Sequence, residues 1–280
     1  MLDTIRATVE AGRRVTMDEA RWLWEHADDA DLQALATTVR GRFHAPDRAT
    51  WLIMAIVNYT NVCVAKCDYC AFYRLPKAPD TYLLTPEQLH ERIDACLALG
   101  GTMVGFNGGF HPDLRLEDYA ELFDGIRGRY GESLEFYGMT VAEFMFACRV
   151  SKVDYATGAA IMARSGNRWV TGGGAEILVD SFRKRHSPLK YMTEDYYDAQ
   201  RALLDAGLGS TATMVIGFDE TLDERLAHLE RLRRFQDDVG GLLPSFLVWT
   251  YKPYHTDLGG EETSERDYLR WLAICRIVLD

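Results

Sequence analysis

The sequence lacks any apolar stretch long enough to cross a bilayer, and its first residues lack the charged-then-apolar layout of a signal peptide. No low-complexity stretch, charge block or Pro/Ser-rich linker interrupts its 280 residues. Basic residues are outnumbered, and the formal net charge of −11 gives a surface that repels phosphate backbones. We therefore expect a cytoplasmic protein that binds neither nucleic acid nor membranes.

Cysteine is scarce, with six residues in the whole chain. Because the cytoplasm keeps thiols reduced, these cysteines are expected to be metal ligands or buried thiols rather than disulfides. Three of them fall within one short segment, and the other three are scattered.

Short apolar runs alternate with amphipathic, helix-period segments along most of the chain. Six of these runs predict strands, at residues 51–57, 102–106, 133–138, 168–171, 210–216 and 245–250. Capping boxes at 85–88 and 221–224 predict the starts of two intervening helices. Strands that alternate with helices predict a parallel sheet with right-handed crossovers, either a doubly wound sheet or a barrel.

Two amphipathic segments, Met17–His26 and residues 29–43, precede the first predicted strand. We therefore expect an N-terminal helical extension over residues 1–50 and an α/β unit over residues 51–280.

The fifth predicted strand bears on the choice between the two folds. Thr211, Thr213 and Val215 share one face of it, and the alternate residues on the other face are apolar. A strand covered by helices on both faces should be apolar throughout, so two threonines on one face favour a barrel lumen that opens into a polar site. Threonine is also simply a good strand former, and both interpretations stay open.

The clustered cysteines, Cys63, Cys67 and Cys70, directly follow the first predicted strand, where βα folds place their active sites. Three thiolates can hold three corners of an iron–sulfur cubane and leave the fourth iron free for a substrate. The alternatives are a zinc site of three cysteines and one histidine, or three inert thiols. Zinc ligands usually come in two separated pairs, and the nearest downstream histidine, His90, falls on a predicted helix.

The spacing Cys-x3-Cys-x2-Cys, with Tyr69 before the last cysteine, resembles the signature of the radical S-adenosylmethionine (SAM) superfamily. The resemblance implies a partial (βα)6 TIM-like barrel with a [4Fe–4S] cluster on the three cysteines and Tyr69 in the cofactor site. It also implies that S-adenosyl-L-methionine chelates the unique iron, and that an external flavodoxin- or ferredoxin-type donor supplies the electron. Reductive cleavage then yields methionine and a 5′-deoxyadenosyl radical.

Further segments resemble the cyclic dehypoxanthinyl futalosine synthases of menaquinone biosynthesis, at residues 58–63, 70–74, 108–114, 174–178, 211–214 and 249–253. This resemblance implies that the radical removes the ribose C4′ hydrogen of a small-molecule substrate, dehypoxanthinyl futalosine, which then cyclises. Two sister groups, the aminofutalosine synthases and the deazaflavin-forming synthases, share several of these segments and stay alternatives. A truncated, non-catalytic domain that binds a cluster or zinc is the third alternative.

Members of the family continue beyond Asp280. We therefore expect the C-terminal part of the family's barrel to be absent from this chain, and the lumen to be open or covered by another subunit.

Site residues follow from the same resemblance. Gly108 and Gly109 are expected to bind the methionine amine through their backbone, which needs close approach without a Cβ atom; a tight turn is the alternative. His111 is expected to be a catalytic residue in the substrate site, or else a loop residue. Glu176 is expected to be catalytic and to bind the ribose hydroxyls or the amine of S-adenosylmethionine, or else to be a carboxylate favoured by a helix dipole.

Two further groups of residues allow a functional and a structural interpretation. Arg183 and Lys190 could bind a carboxylate of substrate or cofactor, but residues 183–185 also fit a solvated helix face. Trp249 and Tyr251, near the end of the last predicted strand, could sandwich an aryl group, although buried tryptophan is more often part of a core.

Overall fold

The computed structural model describes residues 1–280. Seven strands run in chain order as β1 Met54–Asn58, β2 Met103–Asn107, β3 Glu135–Thr140, β4 Trp169–Thr171, β5 Gly209–Ser210, β6 Ala212–Ile216 and β7 Phe246–Thr250. Eleven α-helices accompany them: α1 Leu2–Glu10, α2 Met17–His26, α3 Asp29–Arg40, α4 Pro86–Ala98, α5 Leu116–Tyr130, α6 Val141–Ser151, α7 Tyr155–Arg164, α8 Asp180–His186, α9 Thr193–Asp205, α10 Leu222–Asp238 and α11 Glu265–Leu279. A short 3₁₀ turn, Gly131–Ser133, follows α5.

The strands form a partial barrel in which every pairing is parallel. Strands β1 to β5 pair in sequence order, and β6 pairs with β7 as a separate two-stranded sheet. The first and last strands are not hydrogen-bonded to each other, so the barrel is open between β1 and β7. The predicted α/β class with a partial TIM-like barrel is confirmed.

The predicted fifth strand is divided in two, which corrects its expected extent. The break lies at Thr211, whose hydroxyl oxygen accepts a hydrogen bond from the backbone N–H of Gly172 at 3.0 Å. The carbonyl of Gly172 accepts from the hydroxyls of Thr213 and Tyr196. Side chains thus bind the backbone groups of Gly172, which follows β4, in place of a continuous strand ladder.

The first predicted strand is shorter than expected, because it begins at Met54 rather than at residue 51. Trp51 is 83% exposed and Leu52 is also exposed, so these two apolar residues lie outside the buried part of the sheet.

The two faces of the β6–β7 sheet differ in burial. Met214, Ile216 and Val248 are buried against helices. On the other face Thr213 is paired in register with Leu247, and Val215 with Trp249, whose side chain is 57% exposed. The threonine face therefore looks into the open lumen, as expected of a barrel.

The three N-terminal helices share a hydrophobic core with α10, α11 and the β6–β7 sheet. Ile5, Leu23 and Leu35 are buried there together with Trp271 and Ile274 of α11. Both predicted capping boxes form, with Thr85 at the start of α4 and Thr221 at the start of α10. None of the eleven α-helices combines the length and the hydrophobicity that a membrane-spanning helix needs.

The contact of α11 with the N-terminal helices can be tested with two aliphatic-to-alanine changes on one helix. Ile274 is 0% exposed, whereas Leu269 is 63% exposed. We expect Ile274→Ala to lower the free energy of unfolding by about 2–5 kcal/mol, because it leaves a cavity in the core. Leu269→Ala should stay within about 0.5 kcal/mol of the wild type. Equal losses in urea denaturation would contradict the described packing of α11.

Candidate active site at the mouth of the barrel

The loop that carries the three cysteines is fixed by its own backbone. The N–H of Cys63 donates to the carbonyl of Arg74 at 2.9 Å, and the N–H of Cys70 donates to the carbonyl of Cys67 at 3.1 Å. All three cysteines are free thiols, with Cys67 buried and the other two half-buried. The fold therefore presents three thiols from one short loop at the C-terminal end of β1.

Burial raises the pKa of two thiols of the loop, Cys63 and Cys67. It raises the pKa of Cys67 to about 11, against the opposing positive charge of Lys190. Since metals bind thiolates, loading this loop with iron releases protons.

The number of thiols on the loop bears on the kind of metal centre. Three thiols are one ligand fewer than the four of a closed structural zinc site. In a cubane each thiolate binds its own iron, so three thiolates leave the fourth iron without a protein ligand. Three cysteines without a fourth protein ligand are the donor set that the superfamily resemblance implies.

The glycine pair after β2 lies directly against this loop. A Cβ atom on Gly109 would lie 2.2 Å from the carbonyl oxygen of Val62 and 2.5 Å from the Cβ atom of Cys63. A Cβ atom on Gly108 would lie 2.3 Å from the ring of Tyr59. The glycines therefore allow β2 to approach the cysteine loop. Their expected role toward the methionine amine stays a prediction.

Glu176 lies in a turn rather than at the start of a helix, which corrects the sequence interpretation. Its φ angle is +43°, and α8 begins only at Asp180. The preceding glycines allow this turn, because a Cβ atom on Gly174 would lie 2.2 Å from the Cβ atom of Ala142. The alternative role, a carboxylate stabilised by a helix dipole, does not fit this position.

Glu176 forms a buried ion-pair cluster. Its carboxylate oxygen lies 2.8 Å from the Nζ atom of Lys190 and 3.9 Å from a guanidinium nitrogen of Arg183. Burial alone would raise the pKa of Glu176, but Lys190 and Arg183 outweigh it and hold that pKa below its ordinary value. The carboxylate is therefore ionised and can accept hydrogen bonds from a ligand.

Arg183 is 1% exposed, so the alternative of a solvated helix face is wrong for this residue. Its guanidinium donates to the carbonyl of Ala175 at 2.8 Å and to the carbonyl of Tyr191. These contacts fold the chain after β4 around the arginine, and they place Glu176 at the mouth.

Tyr69 connects the cysteine loop to this ion-pair cluster. Its hydroxyl lies 3.4 Å from the Nζ atom of Lys190, and its ring packs on that of Phe218 with centroids 5.1 Å apart. The residue before the last cysteine thus contacts the lysine that pairs with Glu176. Its expected cofactor contact stays a prediction.

His111 lies in the loop after the glycine pair and is half-buried. Its Nδ1 atom accepts a hydrogen bond from the backbone N–H of Asp113 at 3.3 Å, which leaves the proton on Nε2. Burial lowers the pKa of His111, so its ring is neutral near pH 7. Its expected catalytic role stays a prediction.

The two aromatic candidates near the end of the last strand, Trp249 and Tyr251, differ in burial. Trp249 is on the lumen face, so it does not belong to the core, whereas Tyr251 is buried. The hydroxyl of Tyr251 donates to the carbonyl of Gly259 at 3.0 Å. Of the two aromatic side chains, only that of Trp249 is exposed.

Sequence reasoning missed a buried carboxylate behind the glycine pair. Glu143 accepts a hydrogen bond from the hydroxyl of Tyr59 at 2.6 Å and another from the backbone N–H of Thr140. Its only signal in the sequence was the capping box that Thr140 and Glu143 form at the start of α6. Sequence reasoning also missed His186, a buried histidine whose ring contacts Asp68 of the cysteine loop.

The fold and the cysteine loop define a class of iron–sulfur enzyme, and comparison with known proteins agrees. Residues 57–232 match the family described as the Radical SAM superfamily. The crystal structure of methylornithine synthase superposes with a TM-score of 0.70 at 16% identity, covering 98% of this chain and 76% of that one. This chain belongs to the radical SAM superfamily and is a radical SAM enzyme.

Its curated relatives include enzymes of the futalosine route. The cyclic dehypoxanthine futalosine synthases of Halalkalibacterium halodurans and Streptomyces coelicolor are 33% and 36% identical to it. Each alignment covers 100% of this chain, and 75% and 70% of the respective relatives. The aminodeoxyfutalosine synthase of Thermus thermophilus is 29% identical over 99% of this chain and 75% of its own length. Superfamily membership implies a [4Fe–4S] cluster and S-adenosylmethionine.

The buried ion pair gives a test of the site's electrostatics. We expect Lys190→Met to lower the free energy of unfolding at pH 7 by about 3 kcal/mol, because it leaves the Glu176 carboxylate with only the more distant Arg183. Lys184 is exposed on the same segment, and Lys184→Met should change stability by less than about 0.5 kcal/mol.

The same variant should respond differently to acid. In the wild type the pKa of Glu176 is below its ordinary value. Its stabilising contribution is therefore present above about pH 4.3 and is lost as the pH falls through the folded pKa. Lys190→Met raises that folded pKa, so the stability gap between variant and wild type should narrow from pH 7 toward pH 4. A constant gap in urea titrations would show that Lys190 does not control Glu176.

Proposed function

We propose that the enzyme cyclises dehypoxanthinyl futalosine in menaquinone biosynthesis, with a [4Fe–4S] cluster on Cys63, Cys67 and Cys70 and with S-adenosylmethionine as cofactor. The observation that carries the proposal is the likeness along the whole chain to two cyclic dehypoxanthine futalosine synthases. A second observation supports the proposal. At the mouth of the barrel the cysteine loop contacts both the glycine pair and the Glu176–Lys190 ion pair. When bound, cluster and cofactor supply the radical that removes the ribose C4′ hydrogen atom.

The chain's own residues bind and orient the reactants at this mouth. Gly108 and Gly109 leave backbone accessible to an amine, and the ionised Glu176 accepts hydrogen bonds from an amine or from ribose hydroxyls. Lys190, which already contacts Tyr69, offers an ammonium for a ligand carboxylate. Holding two reactants in one geometry and excluding water is how such a lumen accelerates the reaction.

The lumen wall offers apolar surface for the aryl group of the proposed substrate. Trp249 and Ile56 present exposed apolar surface next to the open seam, and an aryl group of the substrate packs against such surface. His111, neutral near pH 7, presents its Nε2–H group as a hydrogen-bond donor to the substrate.

The proposal includes an external electron donor of flavodoxin or ferredoxin type and a cytoplasmic location, where thiols stay reduced. We propose neither a nucleic-acid nor a membrane partner, because the net charge of −11 repels phosphate groups.

The cluster assignment is tested by serine substitutions. We expect Cys63→Ser, Cys67→Ser and Cys70→Ser each to abolish the visible absorption of the anaerobically reconstituted protein and its cleavage of S-adenosylmethionine, because serine offers a harder oxygen ligand. The buried thiols of α4, α6 and α11 are matched controls, and Cys96→Ser, Cys148→Ser and Cys275→Ser should keep the cluster. Full cleavage of S-adenosylmethionine by Cys67→Ser would contradict the cluster assignment. So would stoichiometric zinc in a wild-type protein that shows no visible absorption band.

A second candidate reaction is that of the aminodeoxyfutalosine synthases, favoured by the Thermus thermophilus relative. Those enzymes add the adenosyl group to their substrate, whereas a cyclase releases 5′-deoxyadenosine that carries the substrate's C4′ hydrogen. We expect incubation with C4′-deuterated dehypoxanthinyl futalosine, S-adenosylmethionine and a strong reductant to give deuterated 5′-deoxyadenosine. A product that contains the adenosyl group would instead assign the enzyme to the addition reaction.

A further inference from the structure

A buried histidine outside the expected site contacts the cysteine loop. His186, at the end of α8, has a side chain that is 5% exposed. Its Nδ1 atom lies 3.0 Å from a carboxylate oxygen of Asp68, and its Nε2 atom lies 2.7 Å from a carboxylate oxygen of Asp219. Asp68 is the residue between Cys67 and Tyr69, so the ring joins the cysteine loop to the chain just beyond β6.

Each ring nitrogen of His186 lies within hydrogen-bond distance of one carboxylate oxygen, and carboxylate oxygens are hydrogen-bond acceptors. The ring therefore bridges Asp68 and Asp219 and is held on both sides.

Backbone contacts make Asp68 the fixed point of the loop. Its N–H donates to the carbonyl of His186 at 3.2 Å, and its carbonyl accepts from the N–H of Leu258 at 2.9 Å. Two segments that are distant in sequence, at His186 and at Leu258, thus converge on the one residue that lies between the second cysteine and Tyr69.

We propose that His186 is a positioning residue for the iron–sulfur cluster, acting through its hydrogen bond to Asp68. The bond holds the loop between Cys67 and Cys70 in the conformation that binds iron. This inference rests on the proposed cluster site. The competing explanation is that His186 only ties α8 to the segment after β6, through Asp219 and the neighbouring pairs of Arg185.

A pair of amide substitutions separates the two explanations. The amide nitrogen of asparagine sits as many bonds from the backbone as Nδ1 of histidine, and that of glutamine as many as Nε2. His186→Asn therefore keeps a donor toward Asp68 and loses the one toward Asp219, whereas His186→Gln does the reverse. Each variant loses one hydrogen bond. A role limited to Asp219 predicts the larger effect for His186→Asn, whereas a role through Asp68 predicts it for His186→Gln.

The measured quantity is the rate at which a chelator removes iron from the reconstituted holoenzyme under anaerobic conditions. We expect His186→Gln to lose iron about 10- to 100-fold faster than the wild type, the usual effect of removing a partner behind a metal ligand. His186→Asn should stay close to the wild type, as should His90→Gln, whose ring contacts Tyr130 on the outer helices. Equal rates for the two His186 variants, or faster loss from His186→Asn, would overturn the proposal.

A second pair of variants covers the case in which a changed ring prevents folding. Asp68→Ala removes the hydrogen bond between His186 and the cysteine loop, and this variant should lose iron faster than the wild type. Asp219→Ala removes only the hydrogen bond on the other side of the ring, and its rate of iron loss should stay close to that of the wild type. Similar release from both would also overturn the inference. If the wild type itself holds no cluster, the proposed function fails. If the wild type holds a full cluster and the variants do not differ, only the role of His186 fails.

Discussion

The close approach of two backbone segments, the cysteine loop after β1 and the glycine pair after β2, governs the mouth of this barrel. A single Cβ atom on Gly109 would lie 2.2 Å from the carbonyl oxygen of Val62, a distance that no relaxation of a flexible side chain can remove. Parallel pairing of β1 with β2 brings the two loops to the same edge of the sheet. Replacement of Gly109 by any other residue would therefore move the segment that carries Cys63.

Charge is concentrated on the other side of the loop. Lys190, Arg183 and Glu176 are all largely buried, and burying ions is costly unless each is paired. The cost is offset here because the carboxylate faces two cations while Arg183 also donates to backbone carbonyls. Lys190 in turn opposes the rise in the pKa of Cys67 that burial causes. Lys190 thus favours both an ionised Glu176 and the thiolate form of Cys67.

Much of this arrangement could be predicted from the sequence because its signals are local. The spacing of Cys63, Cys67 and Cys70, the alternation of strands and helices, and the capping boxes each lie within a few residues. The errors concern contacts between distant residues. The division of the fifth strand depends on Thr211 binding Gly172, the burial of Arg183 depends on the turn around Glu176, and the role of His186 depends on a carboxylate 118 positions away.

The distribution of polar and apolar groups limits what the lumen can bind. Ionised and hydrogen-bonding groups lie at the mouth beside the cysteines, while Ile56, Leu247 and Trp249 expose apolar surface on the strands that border the open seam. A wholly polar metabolite would leave this apolar wall unused, and a wholly apolar one would leave Glu176 and Lys190 without ligand partners. The proposed substrate, which joins a hydroxyl-bearing sugar to an aryl group, would use both surfaces at once. Bound with its aryl group on the apolar wall, it would direct the sugar toward the cysteine loop, as removal of a sugar hydrogen requires.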